Sequence, residues 1–157
     1  MRRIIPQEVK TRILERTALA VGLKTFTMSN GNVQYEHRVI EGCMTTWNPL
    51  DYDSDAFFVQ TKLGHCVSHL RSTDPGYTGK LNPHVMVGYK KQNQVKVFDG
   101  ANLIVDYAEL NGDVFAATRF AICAAAIAGM DGYVESVAEE MMEGIAKYWP
   151  LEPPIPL

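Results

Sequence analysis

Histidine is the residue type in this chain best suited to metal binding, and its spacing argues against a metal site. His65 and His69 are four residues apart, as two zinc ligands on a helix are. They follow Gly64 on a predicted strand, however, where residues i and i+4 lie about 13 Å apart. No serine-hydrolase, zinc-protease or phosphate-loop motif occurs in the sequence. We therefore expect no metal and no cofactor, and the sequence nominates no catalytic residue.

Three aspartates at residues 51–55 begin like a calcium-binding loop. The match ends there, because Ala56 stands where such a loop needs glycine and Lys62 stands where it needs a bidentate glutamate. Carboxylates are favourable beside the free N–H groups at the start of a helix. We interpret the cluster as an acidic helix start.

The longest predicted loop, residues 72–83, is the best candidate for ligand binding. Glycines, hydroxyls, a lysine and an aromatic ring could cradle a phosphate or stack on a base, although an ordinary surface loop has the same composition. Long loops are functional more often than short ones. The candidate ligand-binding residues of the chain are Arg71, Tyr77, Lys80, His84 and Arg119.

Arg119 is included because it and Thr118 interrupt an otherwise apolar helix. Three interpretations stay open. The side chain could reach water from the one exposed edge of the helix, it could pair with an aspartate of the 51–55 cluster, or it could hold an anion.

Composition and charge limit the class of protein. The chain has 157 residues, 46% of them hydrophobic and 21% charged, which predicts one globular domain. A net charge of −3 gives no general attraction to nucleic acid, so we disfavour that partner. No apolar run is long enough for a membrane span, and the N-terminus does not read as a signal peptide. Three cysteines without Cys-x-x-Cys spacing then predict reduced thiols in a cytoplasm, with Cys123 as a core residue.

The hydrophobic periodicity predicts helices at residues 6–21 and 53–63, the second ended by Gly64. A hairpin is predicted from strands 24–28 and 33–35, joined through an Asn-Gly turn. The segment 41–46 is ambiguous. A series of predicted strands then follows, at 66–72, 84–89, 94–98 and about 103–105, with 84–89 and 94–98 forming a hairpin.

Two helices and a tail complete the prediction. The alanine-rich helix at 115–128 is apolar nearly all round, which predicts burial on most sides. An amphipathic helix is predicted at 133–149 and a proline-rich extended tail at 150–157. The expected fold is α+β, with an antiparallel sheet of about four strands sandwiched by helices in a single domain, residues 1–149, followed by the tail.

Two segments carry a resemblance to a known family. They are Trp-Asn-Pro at 47–49 with Asp-Ser-Asp-Ala at 53–56, and Ala-Thr-Arg-Phe-Ala-Ile-Cys-Ala-Ala-Ala at 117–126. Over about residues 7–130 the chain resembles the phage ABA sandwich domain family. That resemblance implies an α+β sandwich made in the bacterial cytoplasm from a phage or prophage gene, and it carries over no catalytic residues. The extra helix and tail after Gly132 depart from the family pattern.

Three functions follow as hypotheses. The first is a non-catalytic phage accessory protein, which we expect to be a homo-oligomer, that binds a small nucleotide-type ligand or a host factor and so sequesters a defence signal. The second is a protein-interaction module that acts through the last helix and the tail. The third is a small hydrolase of a nucleotide signal, dependent on His65 or His84.

Overall fold

The structure, a computed structural model, describes residues 5–36, 42–90 and 101–131. The elements in chain order are α1 (Gln7–Ala20), β1 (Thr25–Thr27), β2 (Val33–Glu36), β3 (Met44–Thr46), α2 (Asp53–Leu63), β4 (Cys66–Leu70), β5 (His84–Tyr89), β6 (Ala101–Asp106), a short 3-10 helix (Tyr107–Leu110) and α3 (Val114–Asp131). The α+β class of antiparallel strands packed with helices is confirmed.

The first sheet has the order β1-β2-β3 and is antiparallel throughout. Its β1–β2 hairpin confirms the prediction from the Asn-Gly turn, where Gly31 has a φ of 85° that favours glycine. The Gly31 carbonyl accepts a hydrogen bond of 2.7 Å from the Thr11 hydroxyl, which ties the turn to α1. The ambiguous segment at 41–46 contributes β3.

The second sheet has the order β4-β5-β6, with β5 in the centre. Alternation places Val85, Val87 and Tyr89 on the buried face of β5. The predicted pairing of 84–89 with 94–98 is wrong in its partner, because the two edges of β5 are taken by β4 and β6. The residues 94–98 themselves lie outside the described residues. Within the described residues the strands therefore form two three-stranded sheets, where the sequence predicted about four strands in one.

Helix α3 is the centre of the fold. It contacts β5 and β6 of the second sheet as well as α1 and α2, and α1 contacts β1 and β2 of the first sheet. Its side chains from Ala121 to Ala128 are all buried, as the alanine-rich pattern predicted. Small side chains permit this because they let a helix approach neighbours on every side.

The predicted helix at 133–149 and the proline-rich tail at 150–157 lie outside the described residues. Within the part of the chain that the structure describes, no helix combines the length and apolar character that a bilayer crossing requires.

Candidate ligand-binding site

Three strand ends meet at one edge of the second sheet, which we call the loop edge. Antiparallel pairing aligns Leu70 at the end of β4, His84 at the start of β5 and Asp106 at the end of β6. The connection from residue 71 to residue 83 leaves and re-enters the sheet here. Four of the five candidate residues therefore lie at this edge or on its loop.

Hydrogen bonds within the connection hold it in a defined shape. Asp74 accepts a bond of 2.7 Å from the backbone N–H of Arg71, and its carbonyl accepts one of 3.1 Å from Tyr77. The Tyr77 hydroxyl donates to the Leu81 carbonyl at 3.0 Å. At the end of the loop, the Pro83 carbonyl accepts the N–H of Tyr107 at 3.1 Å. The Tyr77 hydroxyl is thus used inside the loop, which leaves its ring as the part available to a ligand.

The Arg71 guanidinium lies within interaction range of the Tyr107 hydroxyl, which itself lies 2.7 Å from Nδ1 of His69. A guanidinium can only donate, so a contact with Tyr107 uses the hydroxyl oxygen as acceptor and leaves the hydroxyl proton for His69. Burial, and then the charge of Arg71, lower the pKa of His69, which favours the neutral imidazole that this arrangement needs. Burial raises the pKa of Tyr107, so that its hydroxyl keeps its proton.

His84 lies at the same edge on the other face of the sheet. It alternates with Val85 along β5, and its Nδ1 lies 2.8 Å from the Asn82 carbonyl. A carbonyl only accepts, so Nδ1 carries a proton. The Asn82 amide in turn donates to Asp106 at 3.1 Å. The loop edge therefore has an arginine on one face and a histidine on the other, joined by a loop that carries the exposed Lys80.

Arg119 does not belong to the loop edge. Its Nε donates to the Leu50 carbonyl and its Nη1 pairs with Asp53, each at 2.7 Å. The side chain is only 16% exposed. This confirms the interpretation that Arg119 pairs with an aspartate of the 51–55 cluster. The structure therefore does not bring all five candidate residues together, and an anion role for Arg119 stays a prediction.

The segment 47–55 together with Arg119 forms what we call the junction, in which buried polar atoms are paired. Trp47 is 1% exposed, donates from Nε1 to the Leu14 carbonyl at 2.9 Å, and meets the rings of Tyr35 and Phe58 edge to face. Asp55 accepts the Asn48 backbone N–H at 2.9 Å. These contacts give the Trp-Asn-Pro segment an architectural role.

The turn before α2 is capped by Asn48, whereas the helix itself begins without a side-chain cap. The α2 N-cap is Tyr52, which makes no side-chain capping bond. Asn48 instead accepts the N–H of Asp51 at 3.2 Å and donates to the Asp51 carboxylate at 2.9 Å, so it caps the turn before the helix. Lys10 pairs with the same carboxylate and joins this turn to α1.

A second candidate site, which we call the His65 cavity, lies beside the C-terminal half of α3. Gly64 ends α2 in the left-handed conformation, with φ of 67°, and the chain then places His65 in the interior. A cavity of about 50 Å³ lies against this imidazole, and its wall is completed by Ala20, Leu63, Lys90, Ala125, Ala126, Gly129 and Met130. Most of those wall atoms belong to small or apolar residues.

Two buried polar atoms have no hydrogen-bond partner among the described residues, and one of them belongs to a residue that lines this cavity. They are Nδ1 of His65, a residue 8% exposed, and the hydroxyl of Tyr89, a residue 3% exposed. The two rings meet edge to face, with centroids 6.5 Å apart. Burial lowers the pKa of His65 to about 4, so its imidazole is neutral near pH 7.

Sequence reasoning considered His65 as a zinc ligand and as a catalytic candidate, and it missed this cavity. The usable signal was a histidine directly after a helix-ending glycine, and the partners Ala125 and Gly129 are too distant in sequence to be read from spacing. Close packing is visible at Gly129, where a Cβ atom would stand 2.8 Å from the Lys90 carbonyl oxygen.

The remaining titratable groups offer no metal centre within the described ranges, since no three His, Cys, Asp or Glu side chains there gather as ligands. Cys43 and Cys66 are exposed free thiols. Cys123 is fully buried, and burial raises its pKa to about 12, which agrees with the prediction of a core residue.

Comparison of the chain with protein-family models, with curated proteins and with solved structures gives no match.

Proposed function

We propose that this protein is a non-catalytic accessory protein that binds a small anionic, nucleotide-type ligand at the loop edge. We extend the proposal to the setting that its resemblance implies: a phage or prophage protein, acting as a homo-oligomer in the bacterial cytoplasm, that captures a host defence signal. Ligand capture requires a positioned charge and a stacking surface, and it requires no metal or nucleophile.

The observation that carries the proposal is the state of Arg71. Its guanidinium lies near the Tyr107 hydroxyl, yet the residue stays exposed and forms no ion pair with any described residue. An exposed arginine without an ion-pair partner suits a phosphate, which it can contact with two parallel N–H donors. By contrast, the guanidinium of Arg119 is already paired with Asp53.

Other groups at the loop edge extend this site. Lys80 is exposed on the loop, and it too makes no ion pair with a described residue. The ring of Tyr77 is held by its hydroxyl bond to Leu81, and a fixed aromatic face favours stacking of a base. Because the whole chain has a net charge of −3, this attraction is local, and we expect salt to weaken it.

The test is a thermal-shift screen of the full chain against cyclic nucleotides and ADP-ribose compounds, followed by calorimetry. We expect at least one compound to stabilise the protein, and Arg71→Gln to weaken its binding about tenfold or more. Arg12→Gln is the matched control, because Arg12 is also exposed but lies on α1. Lys80→Gln should likewise weaken binding, and Lys62→Gln, on an exposed residue of α2, is its control.

Two results would contradict the proposal. One is a screen in which no compound raises the melting temperature. The other is an equal loss of binding in Arg71→Gln and Arg12→Gln, which would indicate a diffuse charge effect. Native mass spectrometry of gently purified protein tests the oligomer and reports any retained ligand of a few hundred daltons in the same experiment.

A further inference from the structure

Three exposed aromatic rings lie around a single ion pair on the surface of α2 and α3. Tyr52 is 52% exposed, Phe57 is 67% exposed and Phe115 is 70% exposed. The ion pair is that of Asp53 with Arg119, which joins the two helices at 2.7 Å. Single exposed rings are ordinary on a protein surface, whereas several around one point mark an interaction surface. We call the three rings together with Asp53 the aromatic seam.

Helix periodicity places these rings on the same side of the molecule. Phe57 follows Asp53 by four residues on α2, so the two side chains share a face of that helix. Phe115 precedes Arg119 by four residues on α3, with the same result. Because Asp53 and Arg119 are in contact, the two faces meet. Tyr52 adds the third ring directly before α2.

The two helices run in the same direction, which sets the spacing of the rings. Leu63, the last residue of α2, lines the same cavity as Ala126, which lies two turns beyond Arg119 on α3. Phe57 therefore lies one turn after the ion pair and Phe115 one turn before it. With a rise of about 1.5 Å per residue, their backbone positions are roughly 12 Å apart along the seam.

The charge that faces solvent at the aromatic seam is negative. Of the two paired side chains, that of Asp53 is 76% exposed and that of Arg119 only 16% exposed. The neighbouring pair of Lys10 with Asp51 has the same polarity, with 23% of the lysine and 51% of the aspartate exposed. The cations lie beneath the carboxylates, so an approaching molecule meets aromatic rings and carboxylate oxygens together.

We propose that the aromatic seam is a docking surface for an arginine-bearing segment of a partner protein. A guanidinium is planar and always charged, so it can stack on a ring while it donates to a carboxylate. A lysine ammonium is more strongly hydrated and has no flat face to stack. A purely apolar partner would cover the exposed carboxylate of Asp53 without offering it a donor, which is costly.

This surface differs from the loop edge in its elements and in its charge. The seam is built on helices and presents carboxylates, whereas the loop edge is built on strand ends and presents Arg71 and Lys80. The proposal is therefore independent of the function proposed above.

The test is an NMR titration of the full chain with a hexa-arginine peptide, beside a hexalysine peptide of equal charge. We expect saturable shifts with hexa-arginine, centred on the amides of residues 52–57 and 113–119. Hexalysine should bind about threefold or more weakly, because it keeps the attraction to the carboxylates and loses the stacking.

Two variants with matched controls locate the binding. Phe57→Ala should weaken hexa-arginine binding about threefold or more, whereas Phe26→Ala should leave it unchanged. Phe26 is also an exposed ring, but it lies on β1 with the Lys24 ammonium 5.7 Å from its centroid. Asp53→Asn should also weaken binding, and Glu8→Gln, on an exposed residue of α1, is its control. All four changes are at exposed positions, where we expect the fold to be kept.

Each of three results would overturn the proposal. They are shifts that do not saturate or that lie away from the seam, equal affinity for the two peptides, and an equal loss of binding in Phe57→Ala and Phe26→Ala. Native mass spectrometry of the same variants tests the other occupant. A homo-oligomer that dissociates in Phe57→Ala but not in Phe26→Ala would assign the seam to a second copy of this chain instead.

Discussion

The junction and the His65 cavity both bring polar atoms into the core beside α3, and they treat those atoms in opposite ways. In the junction, Nε1 of Trp47, the N–H of Asn48 and Nε of Arg119 all find acceptors at 2.7 to 2.9 Å. At the cavity, Nδ1 of His65 and the hydroxyl of the neighbouring Tyr89 find none among the described residues. One region satisfies its hydrogen bonds internally, and the other leaves them open.

A residue that stands out in the sequence is therefore not always one whose polar atoms are free to bind a ligand. The Trp-Asn-Pro segment and Arg119 are the most conspicuous features of the chain, yet their contacts are explained by the fold. His65 follows a helix-ending glycine without any motif, and it borders a cavity. Satisfied polar groups contribute to stability, whereas unsatisfied ones oppose it unless a ligand or water completes them. The two regions should therefore respond differently to mutation and to pH.

Trp47→Ala should produce the largest effect, because the junction depends on this side chain. The change removes a fully buried ring, two edge-to-face contacts and the partner of the Leu14 carbonyl. We expect a loss of about 3 to 5 kcal/mol in the free energy of unfolding, measured by chemical denaturation. Trp47→Phe keeps an aromatic ring and should lose less. If Trp47→Ala were nearly as stable as the wild type, the junction would not stabilise the fold as we infer.

A drop in pH should act on the cavity through His65, whereas in the junction two carboxyl groups oppose each other: the lowered pKa of Asp51 makes stability fall with pH, and the pKa of Asp55, which burial raises, makes it rise. Burial lowers the pKa of His65 from 6.5 to about 4. The unfolded state therefore binds the proton more readily, and stability should fall as pH drops from 6.5 towards 4, by up to about 3 kcal/mol. His69, whose pKa is also lowered, adds a change of the same sign.

The variant His65→Leu isolates the His65 contribution. We expect denaturation curves of the variant to lose less stability than the wild type over this pH window, and the variant to be no less stable at pH 7. An unchanged pH dependence in His65→Leu would mean that His65 is not buried as a neutral group. A marked loss of stability at pH 7 would mean that its polar atoms are satisfied after all.

Gly129→Ala tests the tight contact beside the cavity. In a free helix the change would gain up to about 1 kcal/mol. Here the new Cβ would stand 2.8 Å from a backbone oxygen of Lys90, which cannot rotate away. We expect a net loss of about 1 to 2 kcal/mol in the free energy of unfolding.

The matched control is Gly88→Ala in β5. A Cβ there comes closest to the side-chain oxygen of Asn102, at 3.3 Å, and meets Cys66 only at ordinary contact distances of 3.6 and 3.7 Å. That side chain can move, so the loss should be smaller. A stabilised Gly129→Ala would show that α3 can shift away from β5, and the cavity would then be a consequence of loose packing.

Local signals in the sequence predicted most elements of the fold. The helix at 53–63 has the predicted bounds, since an acidic start and Gly64 mark its two ends. The burial of α3 followed from its apolar circumference, and the first hairpin followed from Asn-Gly. The division into two sheets could not be predicted, because alternation defines strands and not their partners. The site groups show the same limit, as Arg71 and Tyr107 are brought together only by strand register.

The smallest expected effects come from two substitutions in the junction, one at the exposed Asp53 and one at the largely buried Arg119. Arg119 makes one bond to the buried Leu50 carbonyl and one to Asp53, whose side chain is 76% exposed. An exposed ion pair contributes little, so Asp53→Asn should change the free energy of unfolding by no more than about 0.5 kcal/mol. Arg119→Met also leaves the Leu50 carbonyl without its donor, and we expect it to cost about 1 to 2 kcal/mol. Equal costs in urea denaturation would assign the role of Arg119 to its charge. The expected difference would instead assign it to hydrogen bonding within the fold, which is the property that the His65 cavity lacks.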